Sequence, residues 1–161
     1  MIIVSNTTPL IGLAVIGRFD LLRQLFGHIH IPQAVYDEVI VRSSEQGGAR
    51  DEVNTAEWIE IVEVTNREAV DELFDELDLG EAETIVLARE SGATWVLMDE
   101  KIGRRKLDEF GLDKIGTAGI LLKAKQLGLL PSIQSDLERL RRYGFRLSQP
   151  VMNAVLRQAN E

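Results

Sequence analysis

The sequence predicts an α/β fold with a central parallel sheet, on three observations. Short apolar runs such as MIIVS at residues 1–5 and WVLM at 95–98 show no polar alternation, as expected of strands buried on both faces. Between such runs lie longer stretches with apolar residues at i, i+3 and i+4 spacing, which is helical periodicity. Strand and helix alternate along the chain, the pattern of βαβ units. At 161 residues the chain suits one domain, residues 1–161, long enough to bury about two thirds of its unfolded surface. The helices from about residue 117 onward form a C-terminal extension packed on it.

The first strand, residues 1–5, ends at Asn6-Thr7-Thr8-Pro9, where a threonine can cap a helix and Pro9 can take its first position. That helix covers 10–16 and closes at Gly17; a second, 19–26, ends at Gly27. Residues 28–31 (HIHI) alternate and read as the second strand. Pro32 opens a helix with Val35/Val39 and Tyr36/Ile40 at i, i+4 spacing and Glu38 on it. Residues 43–48, with Ser-Ser and Gly-Gly, are the most loop-like, the place for a flap. Residues 58–64 (WIEIVEV) alternate with a phase slip, so they read as an edge or half-exposed strand able to carry a bulge. An acidic helix at 68–77 leads to the turn Asp78-Leu79-Gly80, which opens a helix holding Glu81 and Glu83 and capped at Ser91-Gly92. The strand 95–98 stops at Asp99 and Glu100, a basic helix follows at 101–110, and 113–116 is the last strand. Helices at 118–127, 133–143 and 151–158 complete the chain.

Composition narrows the function classes. No cysteine is present, which excludes disulfides and thiolate metal sites and favours a cytoplasmic location. No apolar run reaches the ~20 residues of a membrane span, and the start lacks the basic segment of a secretory signal. The net charge of −8 is uneven: residues 1–100 carry 6 Lys+Arg against 20 Asp+Glu, and residues 101–161 carry 12 against 6. An acidic body with a basic C-terminal third is not the profile of a general nucleic-acid binder. It fits an acidic metal pocket beside a basic rim, or simply solvated helix faces.

Parallel strands release their ends on one edge of the sheet, where α/β folds bind ligands. Asn6 and Asp99 stand at two such ends. Glu81 joins them if its helix also begins there, which requires the acidic helix before it to lie across that edge. Oxygens gathered in this way suit Mg²⁺ or Mn²⁺, and such a site hydrolyses phosphodiesters. Each acid also has a plainer role. Glu81 and Glu83 favour a helix N-terminus, Asp99 can cap the 101–110 helix, and Glu38 can be solvated. Lys101, Arg104, Arg105 and Lys106 can hold RNA phosphates or face water. His28 and His30 lack a third ligand and read as structural, and Trp58 and Trp95 as core.

Several pieces taken together resemble a known family: VSNTTPLIGLAVIGRFDLL, IPQAVYDEV, LDLGEAETIVLA, VLMDEKIGRR, GTAGILLKAKQLGLLPSI and YGFRLSQPVMNAVL. In order and spacing the chain resembles PIN-domain proteins, in particular the VapC-like ribonucleases and their subgroup known as a domain of unknown function. The resemblance implies a three-layer α/β/α fold and a metal-dependent endoribonuclease of single-stranded RNA. It also implies the toxin of a toxin–antitoxin pair, a homodimer blocked by a small antitoxin. The family's four acids fall at Asn6, Glu38, Glu81 and Asp99 or its neighbour Glu100, and its hydroxyl at Thr8. Lys101, Arg104 and Arg105 would contact the substrate. The family's first acid is an Asn here, which removes one negative charge and weakens hard-cation binding. The alternative is a catalytically weakened PIN fold serving as a binding module. A phosphotransfer domain ranks last, because Asn6 stands where a nucleophilic Asp is needed.

Overall fold

The apolar runs become five short strands. The computed structural model describes residues 1–46 and 48–161, the side chains of 44–46 excepted. β1 spans Ile3–Ser5, β2 Ile29–Ile31, β3 Ile59–Ile61, β4 Trp95–Leu97 and β5 Lys114–Ile115. Their order is β3-β2-β1-β4-β5, and every neighbouring pair is parallel. Val4 lies beside both His30 and Val96, so the period-2 pleat sends Ile3, Ile29, Ile31 and Leu97 to one face. Val4, Val96 and Met98 go to the other. β3 is an edge strand, as its half-polar pattern predicts. Its pairing with β2 is continuous from Ile29↔Ile59 to Ile31↔Ile61, so the expected bulge is not in that ladder.

Helices cover both faces and give the three-layer α/β/α arrangement. Against the first face lie α1 (Thr7–Val15), α2 (Asp20–Phe26), α8 (Thr117–Gln126), α9 (Gln134–Arg142) and α10 (Gln149–Gln158), joined by α3 (Gln33–Gln46) and α4 (Arg50–Thr55). Against the second lie α5 (Arg67–Leu73), α6 (Leu79–Ser91) and α7 (Lys101–Glu109). Trp58 and Trp95 pack against the first-face core, Trp58 with its ring centroid 5.4 Å from that of Phe19. His30 faces Glu60 across the β2–β3 pair at 3.4 Å, a structural partner. No helix among the described residues is long and apolar enough to cross a membrane.

Three local expectations need correction. α1 begins at Thr7, so Pro9 is its third residue, still within the first turn, where a missing amide N–H costs nothing. α3 runs through Gln46 and takes up most of the segment read as a loop or flap; Gly47 lies outside the described residues. α4 was not foreseen, because six residues give too little periodicity to register.

The route into α6 also differs from expectation. The N–H groups of Thr65 and Asn66 donate to Glu90, near the far end of α6. α5 therefore starts low beside α6 and runs back up antiparallel to it, and the extended segment before it makes the descent. α6 starts at the carboxyl edge as the acid-gathering idea requires, but the acidic helix does not lie across that edge.

Candidate active site

Five side chains reach this edge: Asn6, Glu81 and Glu100 from three helix starts, Glu38 from the second turn of α3, and Asp99 from a strand end. Asn6 occupies the N-cap position of α1 with extended backbone, yet its side chain makes no capping bond. The Nδ2 group instead donates to Met98 Sδ at 3.3 Å. Asn6 is 4% exposed, and its Oδ1 has no partner among the described residues. A buried acceptor left unpaired costs roughly 1–3 kcal/mol, so Asn6 Oδ1 is an oxygen at this edge still able to accept from, or ligate, a bound group.

Glu38 approaches the same place from α3. Its Oε1 accepts from Arg42 at 3.1 Å. Its Oε2 lies over Gly80, where an added Cβ would sit 3.0 Å from Glu38 Oε2 and 3.6 Å from Asn6 Oδ1. Gly80 thus keeps open the space that these two oxygens share.

Glu81 closes a capping box. Asp78 Oδ1 accepts from the Glu81 N–H at 2.8 Å, and Glu81 Oε2 accepts from the Asp78 N–H at 3.2 Å. Burial, followed by the charge of Asp78, pushes the Glu81 carboxyl up to about 7; the nearby charge of Glu100 acts in the same direction. Such a group takes up and gives up protons near neutrality.

At the end of β4 the two acids divide their work. Glu100, not Asp99, caps α7, accepting from the Gly103 N–H at 2.6 Å. Asp99 instead holds the start of the next helix, α8, accepting from Thr117 N–H at 2.8 Å and Thr117 Oγ1 at 2.6 Å. Burial raises its carboxyl above the ordinary aspartate range, opposed by those bonds and by the charge of Arg104. Arg104 itself turns inward and donates to the Met98 carbonyl at 2.9 Å. Arg105 is exposed, and Lys106 pairs with Glu76 at 2.9 Å.

Thr8, Glu81, Asp99, Glu100 and Lys101 line one cavity of about 730 Å³, which Arg42 also borders. Its opposite wall is the turn from Tyr143 to Leu147 between α9 and α10, which opens one of the family-like pieces of the sequence but was not read as part of the site. Asn6 and Glu38 meet beside it at Gly80. As the side chains stand, no group of three or more His, Asp or Glu among the described residues is close enough to hold a metal ion. Local donors account for this: Glu38 leans to Arg42, Glu81 to its own cap, Glu100 to Gly103 and Asp99 to Thr117. The donor set, all hard oxygens with one buried and unpaired, is chemically suited to Mg²⁺ or Mn²⁺.

Glu83, read as another N-terminal acid, points the other way. It is 5% exposed and accepts from the Ala34 N–H at 3.0 Å and from Arg67 at 2.8 Å. It therefore caps α3, the helix that carries Glu38. Nothing in the sequence pairs residues 83 and 34. The hydroxyl that Asp99 accepts from, Thr117, opens α8 one residue before the helix start expected at 118.

A family model described as PIN domain matches residues 2–161. No curated protein matches the chain.

Proposed function

This chain belongs to the PIN-domain family, whose members are generally nucleases, and from that premise we propose that it is a metal-dependent endoribonuclease of single-stranded RNA. The observation that carries the reading is the buried, partnerless Oδ1 of Asn6, sharing the space over Gly80 with Glu38 at the edge where Glu81 and Asp99 line a cavity. Glu38, Glu81 and Asp99, with Glu100 adjacent, would hold Mg²⁺ or Mn²⁺, and Asn6 would lend a neutral oxygen. When bound, such an ion supplies Lewis acidity toward phosphate and a more acidic water. Thr8 orients the attacking water from the first turn of α1. Lys101 and Arg105 take the substrate phosphates, while Arg104 fixes the Met98 carbonyl beneath Asp99.

The same reading makes the protein a cytoplasmic toxin with a small antitoxin partner, acting as a homodimer. A second reading, a PIN fold that binds without cutting, is favoured by one observation: an amide stands at position 6 where the family has an acid. Cleavage of a fluorogenic single-stranded RNA in Mn²⁺ separates the two. The nuclease reading expects cleavage by the wild type that EDTA and Glu81→Gln abolish, and a gain in Asn6→Asp. Folded wild type and Asn6→Asp that both leave the RNA intact would overturn it.

A further inference from the structure

The cavity wall formed by the α9–α10 turn is built as firmly as its floor. Gly144, with φ 97°, reverses the chain after α9, and its N–H donates to the Arg141 carbonyl at 3.0 Å. The Phe145 N–H bonds back to Leu140 at 3.1 Å. The Phe145 ring then fills the notch that Gly12 leaves in α1, where any Cβ would collide with it. The turn is thereby fastened to the helix whose first residues carry Asn6 and Thr8.

What this anchoring displays is a ring and free cations. Tyr143 is 62% exposed, although most large apolar groups of the chain are covered. It borders the main cavity on one side and, on the other, a dent of about 210 Å³ that it shares with Arg139 and Arg142. Arg139 is engaged with the Ile16 carbonyl and Asp136. No carboxylate among the described residues pairs with Arg142, Arg146 or Lys101. A flat π-face standing as a ridge between two concavities, with unpaired cations on either side, matches a chain that repeats base and phosphate. A duplex hides its base faces and cannot offer one to the ring, so the complementary occupant is single-stranded.

Resting on the nuclease reading for its occupant, we infer that the α9–α10 turn carries a single-strand nucleotide subsite, in which one base stacks on Tyr143 and the flanking phosphates lie on Arg146 and Arg142. The sites of bond cleavage and base holding then stand on opposite walls of one cavity, and the turn sets which strand segment reaches the acids.

The test is binding of a fluorescein-labelled, mixed-sequence 12-nucleotide RNA by anisotropy in EDTA, with the full chain. Tyr143→Ala should weaken binding about 5- to 100-fold, while Tyr143→Phe stays within about twofold. Arg146→Ala should lower the slope of log K against log salt by about 0.7. The same RNA annealed to its complement should bind more weakly than the single strand. Equal affinity of Tyr143→Ala and wild type overturns the subsite and leaves the ridge to a protein partner. So does an equal loss in Tyr143→Phe, or no binding by the wild type. Cleavage in Mn²⁺ is scored separately. Tyr143-dependent binding without cleavage sinks the nuclease reading alone, and cleavage indifferent to Tyr143 sinks the subsite alone.

Discussion

Replacing Glu83 with alanine should cost far more than removing its ion-pair partner. The carboxylate is 5% exposed and serves two donors of different kinds. One is the Ala34 N–H at 3.0 Å, an amide in the first turn of α3 with no acceptor inside its own helix. A hydrogen bond to a charged group contributes about 1.5–3 kcal/mol, and a carboxylate at a helix N-terminus adds about 0.3–1 kcal/mol. The other donor is Arg67, whose side chain is 54% exposed; a solvent-screened pair of this kind is worth about 1 kcal/mol or less. Glu83→Ala should therefore lose about 2–4 kcal/mol and Arg67→Ala no more than about 1 kcal/mol. Glu83→Gln, which keeps an acceptor for Ala34, should fall between them. Urea unfolding followed by the fluorescence of Trp58 and Trp95 measures all three. In a chain of this size the Glu83→Ala loss corresponds to a drop of roughly 5–15 °C in Tm. Equal costs for Glu83→Ala and Arg67→Ala would refute the reasoning, because α3 would then not depend on that cap.

Two further outcomes follow from the geometry at Gly80 and Glu81. Gly80→Ala should leave stability within about 0.5 kcal/mol of wild type, since alanine suits a helix better and the close contact is with the flexible end of Glu38. It should weaken calorimetric Mn²⁺ binding about tenfold by displacing that carboxylate, and unchanged binding would count against a shared ion site. For Glu81, the folded-state value of about 7 lies above the ordinary 4.5, so between those values the folded protein keeps a proton that the unfolded chain has lost. Stability in EDTA should fall as pH rises from about 4.5 to about 7 and level off above. Glu81→Gln should flatten that slope and gain about 1 kcal/mol at pH 8, less than the full shift implies because the group is half exposed. A variant no more stable than wild type at pH 8 would show that the carboxyl ionises normally.

The sequence made legible what short-range chemistry decides. Unbroken apolar runs located β1 and β4, the half-polar run at residues 58–64 located an edge, and Asp78 with Glu81 and Gly92 marked both ends of α6. Contacts set by the tertiary fold were not legible. Asp99 reads as the cap of the helix beside it, but the chain bends so that Glu100 takes that place and Asp99 reaches Thr117. Glu83 shares a helix end with Glu81 but faces a different helix, which only the packing of α3 on α6 reveals. The Ser-Ser-Glu-Gln stretch looked like a loop because no apolar residue there marks a helix face, yet α3 carries through it. The cavity wall was not read as part of the site for a similar reason: Tyr143 and Phe145 lie far in sequence from Glu38, Glu81 and Asp99, and the seating of Phe145 on Gly12 brings them near.

That lock between a glycine notch and a distant ring has a consequence during synthesis. A ribosome delivers β1, β4 and all the acids well before residue 145 emerges, and domains begin to organise while the chain is still growing. For that interval the nascent protein has a floor and no far wall, its acidic groove open along the side that Phe145 later seals. If the mature cavity grips a strand between two sides, the unfinished molecule cannot. A grip of that kind then waits until nearly the last turn has been made.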